Sequence, residues 1–167
     1  MTSVSPLFSL SSAQLSEKSH TSMLLVDVPP IFTVPFSPKR YNVSIYEGVD
    51  LEDDVFCGPS MVFTNDMNPR AKYPKGSAGY KKTLIKKGAT VGANATIVCG
   101  HTVGKWAFIA AGSVVTNDIK DYAMVIGVPA RQVGWMCECG EKLTQELICK
   151  QCGKKYNEHN TGLIEIK

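Results

Sequence analysis

An aliphatic residue returns at every sixth position through the middle of the chain: Ile85, Val91, Ile97, Val103, Ile109 and Val115. A helix repeats every 3.6 residues and a strand every two, so neither demands that spacing. A regular coil of short strands and corners does, and a fixed internal period constrains architecture before any local propensity. The same interval runs through Val43, Val49, Val55 and Met61. Turn-forming residues fall between these anchors, as Glu47-Gly48, Asp53-Asp54 and Gly58-Pro59.

The rhythm predicts an all-β fold, a prism of stacked coils. Each six-residue unit supplies one strand and one corner, and three units close a turn. The anchors point inward and stack. Small residues four positions later (Ala89, Ala95, Ala107, Ser113) fit the inner corners, with Gly88, Gly92, Gly100, Gly104 and Gly112 near the turns. One coil cannot bury its own face, so stability comes from stacking. Ten such units make little more than three coils, a short prism that needs oligomerisation or a cap.

The phase breaks after Phe63. Residues 66–84 carry Pro69, Pro74, Gly76 and Gly79 and no rhythm, and a long segment of this kind inside a repeat array is either functional or unstructured. From Asp66 to Lys87 seven basic residues face one acid, which fits a solvated loop or a phosphate site. The overall net charge of +3 is too mild to argue for nucleic acid, and no apolar run approaches the length of a membrane span.

Three regions follow. Residues 1–40 read as an irregular segment: 1–22 without structure, then MLLVDV at 23–28 and IFTVPF at 31–36 as extended chain parted by Pro29-Pro30. Residues 41–134 form the coil, with loop 66–84 and an exit strand around Tyr122–Arg131. Residues 135–167 hold Cys137, Cys139, Cys149 and Cys152 in a C-x-C-x9-C-x2-C pattern. Two cysteine pairs across a short hairpin can surround Zn²⁺ tetrahedrally, so this reads as a zinc-ribbon-like module with a structural zinc; free thiols and disulfides are the alternatives. The N-terminus lacks a basic start and apolar core of a secretory leader, which implies a reducing, cytoplasmic setting.

The hexapeptide array followed by GVPAR resembles the left-handed parallel β-helix acyltransferases. VSIYEGVDLEDDVFCGPSMVFTND-x-NPR, TLIKKGATVGANATIVCG and AFIAAGSVVTNDIKDYAMVIGVPARQVGW-x-CECGEKL are similar to bacterial nucleotide-sugar N-acetyltransferases. These acetylate the 3-amino group of UDP-2-acetamido-3-amino-2,3-dideoxy-glucuronate for surface-polysaccharide synthesis. The resemblance covers about residues 41–153. It does not cover residues 1–40, where the family carries further coils, so the sugar-binding half is expected to be incomplete.

The resemblance implies an acetyl-CoA-dependent transfer to the amine of a UDP-amino sugar by a homotrimer, with no nucleic acid or membrane partner. The amine must attack neutral, and the oxyanion needs a donor. Asn65 of FTND resembles the asparagine that orients the acceptor amine; its other reading is a turn residue. Asn68 and Arg70 of NPR would touch sugar or phosphate. Backbone groups at Gly92, Ala93, Ala110 and Ala111 would hold the pantetheine arm, and Arg131 with Lys86 or Lys87 would meet the coenzyme phosphates. Trp106 either stacks outward or packs on a neighbouring subunit. His101 replaces a residue more often apolar in the family. It is the one base available to the rival reading, a sugar O-acetyltransferase. A further rival is an inactive truncated paralogue that keeps prism and zinc module.

Overall fold

The structure, a computed structural model, describes residues 42–166. The expectations for 1–40 lie outside the described residues. Thirteen short strands are present: β1 Val49–Leu51, β2 Phe56–Cys57, β3 Val62–Phe63, β4 Thr83–Ile85, β5 Thr90–Val91, β6 Thr96–Ile97, β7 Thr102–Val103, β8 Phe108–Ile109, β9 Val114–Val115, β10 Ala123–Ile126, β11 Arg131–Trp135, β12 Lys155–His159 and β13 Gly162–Ile166.

Successive strands go to successive sheets. β1, β4 and β7 make the first; β2, β5, β8 and β10, closed by β11, make the second; β3, β6 and β9 make the third. Within these sheets every pairing is parallel except β10 with β11. Each sheet is therefore one face of a triangular prism. A bridge from Val103 to Ile119 starts a fourth coil, which β10 continues.

The core is three inward columns. Leu51, Ile85 and Val103 stand in register, as do Cys57, Val91, Ile109 and Val125, and Phe63, Ile97 and Val115. Ile85, Val91, Ile97, Val103, Ile109 and Val115 are all fully buried. Each such side chain gains about 1.5–3 kcal/mol from leaving water.

The first coil corrects the sequence reading by two residues. Its anchors are Leu51, Cys57 and Phe63, because these pair with Ile85, Val91 and Ile97. Val49, Val55 and Met61 occupy the corner positions that Thr83, Ala89 and Ala95 fill one coil above. Both series have period six and both reach the core, Val55 and Met61 in one and Phe63 in the other, so periodicity alone cannot choose the phase. Larger corner residues are tolerated there because the first coil is the end of the described stack.

Between β3 and β4 the chain leaves the prism. Lys81 N–H donates to Asn65 O at 2.9 Å and closes the neck of this excursion. Residues 67–78 are exposed, with one 3-10 turn at Ser77–Gly79. After β11, a second cluster forms from Tyr122, Cys137, Leu143, Cys149, Tyr156 and Leu163, with Trp106, Trp135 and Leu147 packed against it. The hairpin β12–β13 completes it. Leu163 turns inward there, while Ile164 and Ile166 face solvent.

Candidate functional site

Every third corner falls on the same edge of the prism, and the three edges differ in chemistry. The edge between third and first sheets carries the loop. Thr64 Oγ1 accepts from Cys99 N–H at 2.9 Å, and Thr83 Oγ1 accepts from Gly100 N–H at 3.2 Å. Asn65 sits at the neck, half-buried, with its backbone oxygen used by Lys81. Its carboxamide takes no hydrogen bond among the described residues, so it is available to a ligand.

The loop is organised by one acid. Asp66 Oδ1 accepts from Asn68 N–H at 2.9 Å and from Lys75 Nζ at 2.8 Å; Lys75 also donates to Asn68 O at 3.0 Å. The Lys75 bond, then the Asn68 amide, holds the Asp66 carboxyl below its usual range. Arg70 is exposed and donates to Pro69 O at 3.1 Å. Arg70, Lys81 and Lys82 have no carboxylate partner among the described residues. Asn65, Asn68 and Arg70 thus share one edge with unpaired cations.

His101 lies on this edge too, above Thr83. Its Nδ1 is 3.6 Å from Asp118 Oδ1, while Asp118 accepts from Thr102 N–H at 2.8 Å. Its Nε2 is enclosed and has no hydrogen-bond partner among the described residues. The enclosed Nε2 leaves Nδ1, beside Asp118, as the nitrogen through which this imidazole could exchange a proton with a substrate.

The edge between second and third sheets is lined by small residues. A Cβ on Gly92 would meet the backbone of Ala110 and Ala111, so only glycine lets these corners stack. Gly112 N–H donates to Ala93 O at 2.8 Å. Ala111 and Gly112 are exposed, and Arg131 stands opposite Ile126 at the end of β10. Gly92, Ala93, Ala110, Ala111 and Arg131 therefore lie along one edge, which carries small residues and one guanidinium.

Lys86 and Lys87 do not join them. They follow β4, on the edge between first and second sheets, across a full face from Gly92. Each already faces an acid: Lys86 Nζ is 3.8 Å from Asp121, Lys87 Nζ 3.7 Å from Asp54, and Lys87 N–H donates to Glu52 Oε2 at 2.8 Å. The six-residue unit explains this, since consecutive corners must occupy different edges. Trp106 lies on that same edge with its ring over the backbone of Gly88, and packs beneath the C-terminal cluster.

The four C-terminal thiols meet. Cys137 Sγ is 3.5 Å from Cys152 Sγ, Cys139 Sγ is 3.4 Å from Cys149 Sγ, and all four sulfurs lie within 4.8 Å of one another. A tetrahedral zinc with bonds of about 2.3 Å places its sulfurs roughly 3.8 Å apart. The Cys152 amide pulls the Cys149 thiol down to about 6, whereas Cys139 is pushed up to about 12, burial first and its neighbouring thiols next. One thiolate forms readily and further ones resist, which is the situation a divalent cation relieves. Cys57 and Cys99 stand apart among core residues, and burial pushes the Cys57 thiol up to about 11.

No family model matches the chain. Over 88 residues it is 49% identical to dTDP-3-amino-3,6-dideoxy-alpha-D-galactopyranose 3-N-acetyltransferase of Aneurinibacillus thermoaerophilus, covering 51% of this chain and 45% of that protein. These relatives are acetyltransferases. A second, 2,3,4,5-tetrahydropyridine-2,6-dicarboxylate N-acetyltransferase of Staphylococcus aureus strain JH9, is 44% identical over 80 residues, 48% of this chain and 30% of that one. The crystal structure of a maltose O-acetyltransferase from Clostridium difficile 630 superposes with a TM-score of 0.50 at 25% identity, covering 57% of this chain and 53% of that one. The chain spans about half the length of the first of these relatives, or less.

Two features escaped the sequence reading. The unpaired Lys81 and Lys82 beside Asn65 were counted only as part of a basic run, because the neck that folds them back is a backbone hydrogen bond. The contact of Trp106 with Gly88 and the C-terminal cluster joins three distant segments and leaves no local signal.

Proposed function

We propose that the chain belongs to an acetyltransferase that moves the acetyl group of acetyl-CoA onto the amine of a nucleotide-activated amino sugar used in surface-polysaccharide synthesis. The observation that carries the proposal is the 49% identity to a sugar 3-N-acetyltransferase, in a chain whose loop edge offers an unengaged asparagine among unpaired cations. The Asn65 carboxamide holds the neutral amine by accepting its N–H, and positioning of this kind supplies much of the acceleration of acyl transfer. Asn68 and Arg70 meet the sugar or its diphosphate, with Arg70 suited to bidentate contact. The small-residue edge takes the pantetheine arm against Gly92, Ala93, Ala110 and Ala111, and Arg131 takes phosphate. Lys86 and Lys87 reach a coenzyme only from a neighbouring protomer. A homotrimer brings an edge of one prism against the next, as the proposal needs. Zinc at Cys137, Cys139, Cys149 and Cys152 fills all its ligand positions and is structural.

The sequence resemblance points to a UDP sugar, while the relative named above acts on a dTDP sugar. A thiol-release assay with acetyl-CoA and both UDP- and dTDP-3-amino sugars separates them. The expected result is turnover with one of the two and at least a tenfold loss in Asn65→Ala. No turnover by a folded trimer would leave the inactive paralogue. Transfer to a sugar hydroxyl lasting through Asn65→Ala would instead favour the O-acetyltransferase.

A further inference from the structure

The four-cysteine cluster is tied to the last coil of the prism. Met136 N–H, next to the first ligand, donates to Tyr122 O at 2.8 Å, and Asp121 N–H donates to Thr161 O at 2.9 Å. Tyr156 of β12 stacks on Tyr122, ring centroids 5.1 Å apart and tilted by 56°. Both rings are buried. The Tyr122 hydroxyl donates to Glu138 Oε1 at 2.9 Å, and Glu138 lies between Cys137 and Cys139 in the chain. Lys154 then joins Glu138 at 2.6 Å to Glu165 at 3.0 Å.

The Tyr156 hydroxyl reaches a sulfur. It lies 3.1 Å from Cys137 Sγ. A buried phenol needs a partner, yet a neutral thiol is a poor acceptor and a thiolate a good one. The contact is therefore worth most when Cys137 is ionised, as metal binding requires. Cys137 also follows β11 by two residues, and β11 carries Arg131 at its other end.

We infer that Tyr156 is the outer hydrogen-bond donor to a metal-bound Cys137 thiolate, and that the Tyr156–Tyr122 stack with the Glu138 bridge makes metal binding fasten the β10–β11 hairpin to the end of the prism. Donors behind a metal's own ligands fix ligand orientation and commonly govern affinity by roughly 10–100-fold. The inference rests on the metal reading above, and the experiment distinguishes the two.

Full-length protein is loaded with Co²⁺ or Zn²⁺ and titrated against a chelator, and hydrogen exchange is followed with and without metal. Tyr156→Phe keeps the ring and its stack but removes the hydroxyl. It is expected to lower metal affinity roughly 10–100-fold and to move the thiolate-to-Co²⁺ charge-transfer band. Stripping metal from wild type is expected to speed exchange at residues 123–137 and leave residues 85–115 unchanged. Tyr122→Phe is expected to hold metal as wild type does but to show faster exchange at 123–137. Wild type that binds neither ion overturns the metal reading and this inference together. Wild type that binds while Tyr156→Phe matches it within twofold, with an unmoved band, overturns the inference alone. If Tyr156→Phe does not accumulate folded, the wild-type exchange comparison decides, and unchanged exchange at 123–137 overturns it.

Discussion

His101 shows how much one side chain's surroundings decide. A histidine in a repeat array invites a catalytic role, yet its Nε2 is enclosed without a partner among the described residues. Such a buried polar atom costs about 1–3 kcal/mol, and replacing it with an apolar group of similar shape is neutral or better. His101→Val is expected to raise the urea midpoint and leave acetyl transfer within twofold; collapse of the rate would make His101 the base. Asp66 offers a second test. Lys75 and the Asn68 amide lower its folded pKa below the unfolded value, so the bridge is fully present above pH ~3.9 and is lost as pH falls through the folded pKa. Carboxyl NMR should give a midpoint below ~3.9 that rises in Lys75→Met.

At the scale of the strand, two residues suffice because only one side chain per strand points inward. Ile97 of β6 stands between Phe63 and Val115 and is fully buried. Ile97→Ala removes a rung from the column, and the neighbouring coils cannot collapse to fill it. The expected loss is about 2–5 kcal/mol by denaturant unfolding. Ile164 of β13 is the contrast, since it is 49% exposed. Ile164→Ala should fall within about 0.5 kcal/mol of wild type. Equal effects would mean that β13 is turned over.

At the scale of the molecule, the three candidate groups stand on three different edges, and no single prism brings them together. The outer row of the second sheet runs Phe56, Thr90, Phe108 and Met124, apolar but for Thr90, with Phe56 44% exposed and Phe108 and Met124 half-buried. Sedimentation is expected to give three times the 18.2 kDa chain mass, with a melting temperature that rises with protein concentration. A monomer at all concentrations would remove the shared site. Much of this layout was legible in the residues. Ile85 to Val115 announce the coil because every anchor has the same job, and the two closely spaced cysteine pairs announce a cluster of four thiols. Val49, Val55 and Met61 misled because two interleaved series share one period. Lys86 and Lys87 stand on another edge than Gly92 because consecutive corners turn to different faces, which nearness in sequence does not reveal.

The sequence by itself determined the repeat, its break at the loop and the grouping of four cysteines near the C-terminal end, since each rests on local spacing. Only the tertiary structure decided the phase of the first coil, the edge each candidate occupies, the enclosure of His101 Nε2 and the seat of Trp106. Those depend on which coil lies above which, and stacking is a long-range choice made by packing.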